Sequence, residues 1–118
     1  MTEVNVIDRL FGALENGDSA AVRGCFAPDG GLWHCFDRVV MTAQEVEKSF
    51  EAMILNFSER KITDVNRQPT ETGFVQQHLM TFTSHDGQSK SWPVCIIVQV
   101  KDGLIVRLDE YIDRAGWF

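Results

Sequence analysis

Cysteine is scarce and unpatterned in this chain of 118 residues: Cys25, Cys35 and Cys95 are odd in number and form no C-x-x-C pair. That excludes a disulfide framework and a cysteine zinc site, and leaves the thiols as small apolar residues of the interior. The three histidines, His34, His78 and His85, make neither His-x-His nor His-x-x-x-His. A tight metal site needs three or four converging ligands, so no metal is expected. The glycines form no phosphate-cradling loop, and no cofactor is implied. Positive charge is also short, with 11 Lys and Arg against 17 Asp and Glu and a net charge of −6. The basic residues are scattered, whereas a nucleic-acid surface needs them clustered, so nucleic acid is an unexpected partner. No run of 18 apolar residues occurs, and "MTEVNVIDRL" lacks a basic region followed by an apolar one. No membrane association is implied, and a cytoplasmic, reducing location is the default expectation. "NFS" at 56–58 fits a glycosylation sequon but stands without a secretion signal.

What is abundant points to a packed core. The hydrophobic fraction is 44%, with 8 Phe and 3 Trp, and no shift in composition divides residues 1–118. One domain is expected. Ile7, Leu10, Phe11 and Leu14 recur at helical spacing and stop at "ENGD". A second helix is predicted from about Ser19 to Phe26, capped by Asp18 and ended by "PDGG", before a short strand "GLWHCFD". "TAQE" is a capping box, with Thr42 as N-cap and Glu45 three positions on, opening a helix over 43–57. Strands follow at about 60–69, 73–84, 90–101 and 104–113, separated by turns at Gly73, Gly87 and Gly103. The order ααβαββββ predicts an α+β fold: three helices on one side of a curved mixed sheet, forming a cone with an apolar pocket where the layers diverge.

Polar residues interrupt the apolar faces of these strands. In "LIVRLDEYID" the alternation puts Leu104, Val106, Leu108 and Ile112 on one face, with Glu110 among them. On the 73–84 strand, Gln76 and His78 sit between Phe74, Met80 and Phe82; on the early strand, His34 sits between Leu32 and Phe36. Trp92, Val94, Ile96, Val98 and Val100 form a continuous apolar face that suits a pocket wall. If these faces converge, Glu110, His34 and His78 are candidate catalytic groups for acid–base work. Gln76 is then an orienting donor, and Trp92, Phe74, Phe36 and Ile96 are substrate-binding wall. The competing readings are structural. Glu110 then faces solvent or pairs with Arg107 or Arg67, and each histidine is a core residue bonded to backbone. His85 falls in the "HDGQ" turn and should be solvated.

On "ALENGDSAAVRGCFAPDGGLWHCF", the capped helix after it and "VKDGLIVRLDEYID", the chain resembles the nuclear-transport-factor-2-like superfamily in its SnoaL-like branch, over nearly its whole length. The resemblance implies a cone-shaped α+β barrel, dimeric through its sheet, around a mostly apolar pocket. The superfamily includes ketosteroid isomerases, polyketide cyclases, scytalone-type dehydratases, limonene-epoxide hydrolases and many non-enzymes, so fold alone decides little. By comparison with ketosteroid isomerases, His34 falls near the catalytic base, but Leu10 and Ile96 stand where the tyrosine and the oxyanion-binding acid are expected. By comparison with limonene-epoxide hydrolases, Glu110 takes the place of one catalytic carboxylate, while the Arg and Asp of the middle strand have no match. The resemblance implies a cofactor-free acid–base enzyme for a small apolar molecule, of isomerase, dehydratase, cyclase or epoxide hydrolase type. A non-catalytic ligand-binding or dimeric assembly module is the alternative.

Overall fold

A computed structural model describes residues 5–113. Helix α1 (Val6–Asn16) begins where the Asn5 side chain accepts from the Ile7 amide at 2.8 Å and ends at Gly17, whose φ of 73° is the left-handed cap. Its buried stripe contains Ile7, Leu10, Phe11 and Leu14, as the spacing predicts. The segment after it differs from expectation. Instead of a second α-helix, Ser19–Ala21 and Arg23–Cys25 wind as two short 3₁₀ turns, and Asp18 makes no side-chain cap. Eight residues interrupted by Gly24 are too few to repay helix nucleation, so the tighter turns suffice to bury Val22 and Cys25.

Strand β1 (Phe26–His34) starts five residues earlier than expected, and the "PDGG" read as a stop lies inside it. A register shift between Phe26 and Gly31 absorbs those residues as an irregularity. Gly30 is required there, since a Cβ would lie 2.4 Å from the Ile105 carbonyl oxygen. A three-residue strand, β2 (Val40–Thr42), pairs with β1 and leads into helix α2 (Ala43–Asn56). Both hydrogen bonds of the Thr42–Glu45 capping box are formed, at 3.2 and 3.1 Å. Strands β3 (Phe57–Pro69), β4 (Gly73–Ser84), β5 (Ser89–Lys101) and β6 (Leu104–Ile112) complete a sheet of order β2-β1-β6-β5-β4-β3.

β3 to β6 pair antiparallel in sequence, and β1 lies parallel to β6, making the sheet mixed. Register shifts at Thr63/Asn66 and at Gln99/Val100 mark irregularities of the kind that bend and twist strands. The second alters one expectation. Ile105, not Leu104 or Val106, is fully buried with Leu108, so the simple alternation fails at the start of β6 and holds from Leu108 onward. The helices cover one face of the sheet. Arg60, 8% exposed, ties β3 to the end of α1 by donating from Nε to the Leu14 carbonyl at 2.8 Å and from Nη1 to that of Phe57 at 2.7 Å. These bonds satisfy a helix-end acceptor that would otherwise be orphaned.

Candidate functional site

The pairing places one row of side chains straight across the sheet. His34 on β1 opposes Glu110 on β6, Glu110 opposes Ile96 on β5, Ile96 opposes Gln76 on β4, and Gln76 opposes Arg67 on β3. The next row contains Ile112, Val94 and His78. Five positions in these two rows, His34, Glu110, Gln76, Arg67 and His78, therefore carry polar side chains among apolar neighbours.

Glu110 is 8% exposed, between Leu108 and Ile112. Its Oε1 lies 3.3 Å from Nε2 of His34 on the adjacent strand, which gives the carboxyl group a polar partner within the interior. Arg107 and Arg67 are engaged elsewhere, with Asp109 and Asp8 respectively. The face of His34 is covered by Phe36, stacked at 4.6 Å between centroids with planes 20° apart. His34 and Glu110 both line a cavity of about 290 Å³ between the sheet and the helices. Its wall is otherwise mainly apolar, built from α1 (Phe11, Leu14), α2 (Phe50, Met53) and the sheet (Met80, Trp92) among others. A cavity of this size and polarity suits a small organic molecule.

Of the residues singled out from the sequence, Glu110, His34, Trp92 and Phe36 line this cavity. Gln76, His78, Phe74 and Ile96 do not. Ile96 is fully buried between Glu110 and Gln76, and Phe74 lies toward the other end of the sheet with the Arg67 guanidinium carbon 5.3 Å from its ring centre. Gln76 and His78 are linked: the Gln76 amide nitrogen is 3.1 Å from His78 Nδ1, and Arg67 donates to the Gln76 oxygen at 2.8 Å. Arg67 also binds Asp8 on α1 at 2.6 Å. Among the described residues His78 Nε2 has no hydrogen-bond partner, and a buried donor left without one costs about 1–3 kcal/mol. Burial lowers the pKa of His78 from its ordinary value, and the negative field of Glu110 partly opposes this. His85 is exposed, as expected, yet its Nε2 lies 2.8 Å from the Leu55 carbonyl at the end of α2.

Sequence reasoning missed Ser49 and Asn56, which add polar points to the cavity wall from α2. Their signal is a helical stripe, 49, 52, 53 and 56, flanking the apolar one. Among the described residues, no group of three His, Cys, Asp or Glu side chains has metal-holding proximity, and no helix is long and apolar enough to cross a membrane.

Residues 7–108 match the SnoaL-like domain family. A search of curated proteins returned no match. Among solved structures, the chain is similar to a protein with a ketosteroid isomerase-like fold from Catenulispora acidiphila, in complex with trimethylamine. The TM-score is 0.80 at 12% identity, covering 93% of this chain and 86% of that one. It is similar also to an LEH-like epoxide hydrolase from M. tuberculosis, with TM-score 0.77 and 14% identity over 92% and 80% of the two chains. A third is TerC co-crystallized with polyporic acid, with TM-score 0.78 and 11% identity over 95% and 92%. At these identities the likeness establishes the fold.

Proposed function

The chain belongs to the SnoaL-like domain family, and from that premise we propose that it binds a small, largely apolar molecule in the cavity and acts on it by cofactor-free acid–base catalysis. The observation that carries this reading is the Glu110–His34 pair, 3.3 Å apart, set in the wall of an otherwise mainly apolar cavity. A carboxylate held there meets the substrate with little competing water, and a positioned acid or base of this kind contributes about 10² to 10⁴ in rate. Glu110 is the proton-transfer group, and His34, 3.3 Å from it, orients it. Trp92, Phe36 and Met53 provide apolar contact. Isomerisation, dehydration, cyclisation and epoxide opening all need such a group. The trimethylamine and polyporic acid bound by two structural neighbours support small-molecule binding by this architecture.

The outer sheet face favours an assembly of two copies. Ile97 and Tyr111, on the central strands β5 and β6, are 40% and 44% exposed, and Tyr111 packs edge-on against Trp33 at 5.3 Å. The neighbouring Arg107–Asp109 pair is neutral as a unit, so two such faces meet without net repulsion. The free thiols fit a reducing, cytoplasmic location.

The test is a screen of enones, β-hydroxy ketones and epoxides with the native chain and with Glu110→Gln. Turnover lost by at least about 10²-fold in a folded variant supports the assignment. Unchanged turnover refutes it, and binding without any conversion makes the chain a ligand-binding module.

A further inference from the structure

The unpartnered nitrogen of His78 carries an inference that deepens the ligand-site reading and rests on it. Arg67 has only donors, so the Gln76 atom 2.8 Å from it must be the amide oxygen. The amide nitrogen therefore faces His78 Nδ1, at 3.1 Å, and since it can only donate, Nδ1 accepts and carries no proton. In the neutral ring the proton is on Nε2. Asp8 fixes the far end of the chain by binding both terminal nitrogens of Arg67, at 2.6 and 3.3 Å. Three residues from three elements, Asp8, Arg67 and Gln76, thus hold one tautomer of a buried imidazole, and the N–H they define has no acceptor among the described residues.

Its surroundings lie beside the cavity. His78 is 4% exposed and belongs to the same cross-strand row as Ile112, which lines the cavity. Its ring packs against Phe11, another lining residue, at 5.0 Å with planes 66° apart. An aromatic neighbour offers an N–H group at most a weak contact. A carbonyl oxygen offers a full hydrogen bond. Glu110, one row away on the same face, supplies the opposite function, an acceptor.

We propose that His78 Nε2–H is the hydrogen-bond donor of this site, reached when the Phe11 ring turns aside, and that the bound molecules are apolar ketones or enols held between His78 and Glu110. A neutral imidazole fixed in this tautomer donates to a carbonyl or enolate oxygen without gaining or losing a proton. That is the electrostatic help needed where negative charge develops on oxygen.

A matched pair of probes tests this: 2-tetralone, and tetralin, which has the same bicyclic frame without the carbonyl. Binding is measured by titration at pH 8. The expected result is a preference for 2-tetralone of about 3- to 10-fold, the worth of one added hydrogen bond, abolished by His78→Phe. Equal binding of the two by the native chain overturns the donor assignment and leaves the cavity reading intact. Binding of neither overturns both. Should His78→Phe fail to fold, nitrogen-15 NMR of the native chain decides. The His78 Nε2–H signal should move downfield with 2-tetralone and stay in place with tetralin; a protonated Nδ1, or no response, overturns the proposal. Phe11→Ala should speed 2-tetralone association and keep the preference, and an unchanged association rate removes Phe11 as the cover.

Discussion

A carboxylate at 8% exposure between Leu108 and Ile112 has a physical explanation in His34, and that explanation was only half legible in the sequence. Alternation along β4 and β5 identifies the inward faces correctly, because turns at Gly87 and Gly103, both at positive φ, anchor the register. The partner of Glu110 lies 76 positions away on a parallel strand, and no local pattern encodes that pairing. Gln76, His78, Phe74 and Ile96 show the converse: a position on the right face does not reveal which side chains reach the cavity, whose wall is built in part by helix residues such as Phe11. His78 gives the prediction at this scale. Its folded-state pKa lies below the unfolded one, so above the ordinary histidine pKa of about 6.5 both states are neutral and it contributes no pH dependence. As pH falls below that value the unfolded chain takes up the proton first. Stability should therefore drop until the folded pKa is passed, where this loss levels off. Urea denaturation across pH 5 to 8 should show this fall in the native chain and a smaller one in His78→Phe.

Among the elements, those with their own end signals match the sequence reading, and those without do not. α2 begins at its capping box, as expected, and α1 ends at its glycine. Residues 19–25 lack a formed cap and contain Gly24, so tertiary burial of Val22 and Cys25 settled their form. β2 has only three residues, too few for any periodicity to register, and β6 starts at Leu104 as expected but with Ile105 inward instead of Leu104 and Val106, because an irregular pairing leaves no mark in hydrophobic spacing. α2 carries Phe50 and Met53 into the cavity wall, so its cap supports the site as well as the helix. Thr42→Ala should cost about 1 kcal/mol, within a range of roughly 0.5–2, seen as a lower melting temperature. Thr42→Ser should restore most of it; an alanine variant as stable as the native chain would show that packing alone holds this end.

The whole molecule is a sheet with two different faces. One face is covered by helices and encloses the cavity; the other presents Trp33, Ile97 and Tyr111 outward. The α+β cone was legible from element order, since four consecutive strands with short turns leave few alternatives to an antiparallel sheet. If two copies pair through this face, as proposed, the native chain should scatter light as a dimer and Tyr111→Glu as a monomer, because a buried unpaired charge in such a contact opposes association. A native chain already monomeric at tens of micromolar would contradict the dimer.

The central claim is that Glu110 moves a proton to or from a molecule held in the cavity. It is tested most directly by following deuterium incorporation from D₂O into the carbon beside the carbonyl of 2-tetralone, by NMR. The account predicts exchange well above the buffer rate with the native chain and at the buffer rate with folded Glu110→Gln. Exchange at the buffer rate with the native chain, or equal exchange with both, would contradict it.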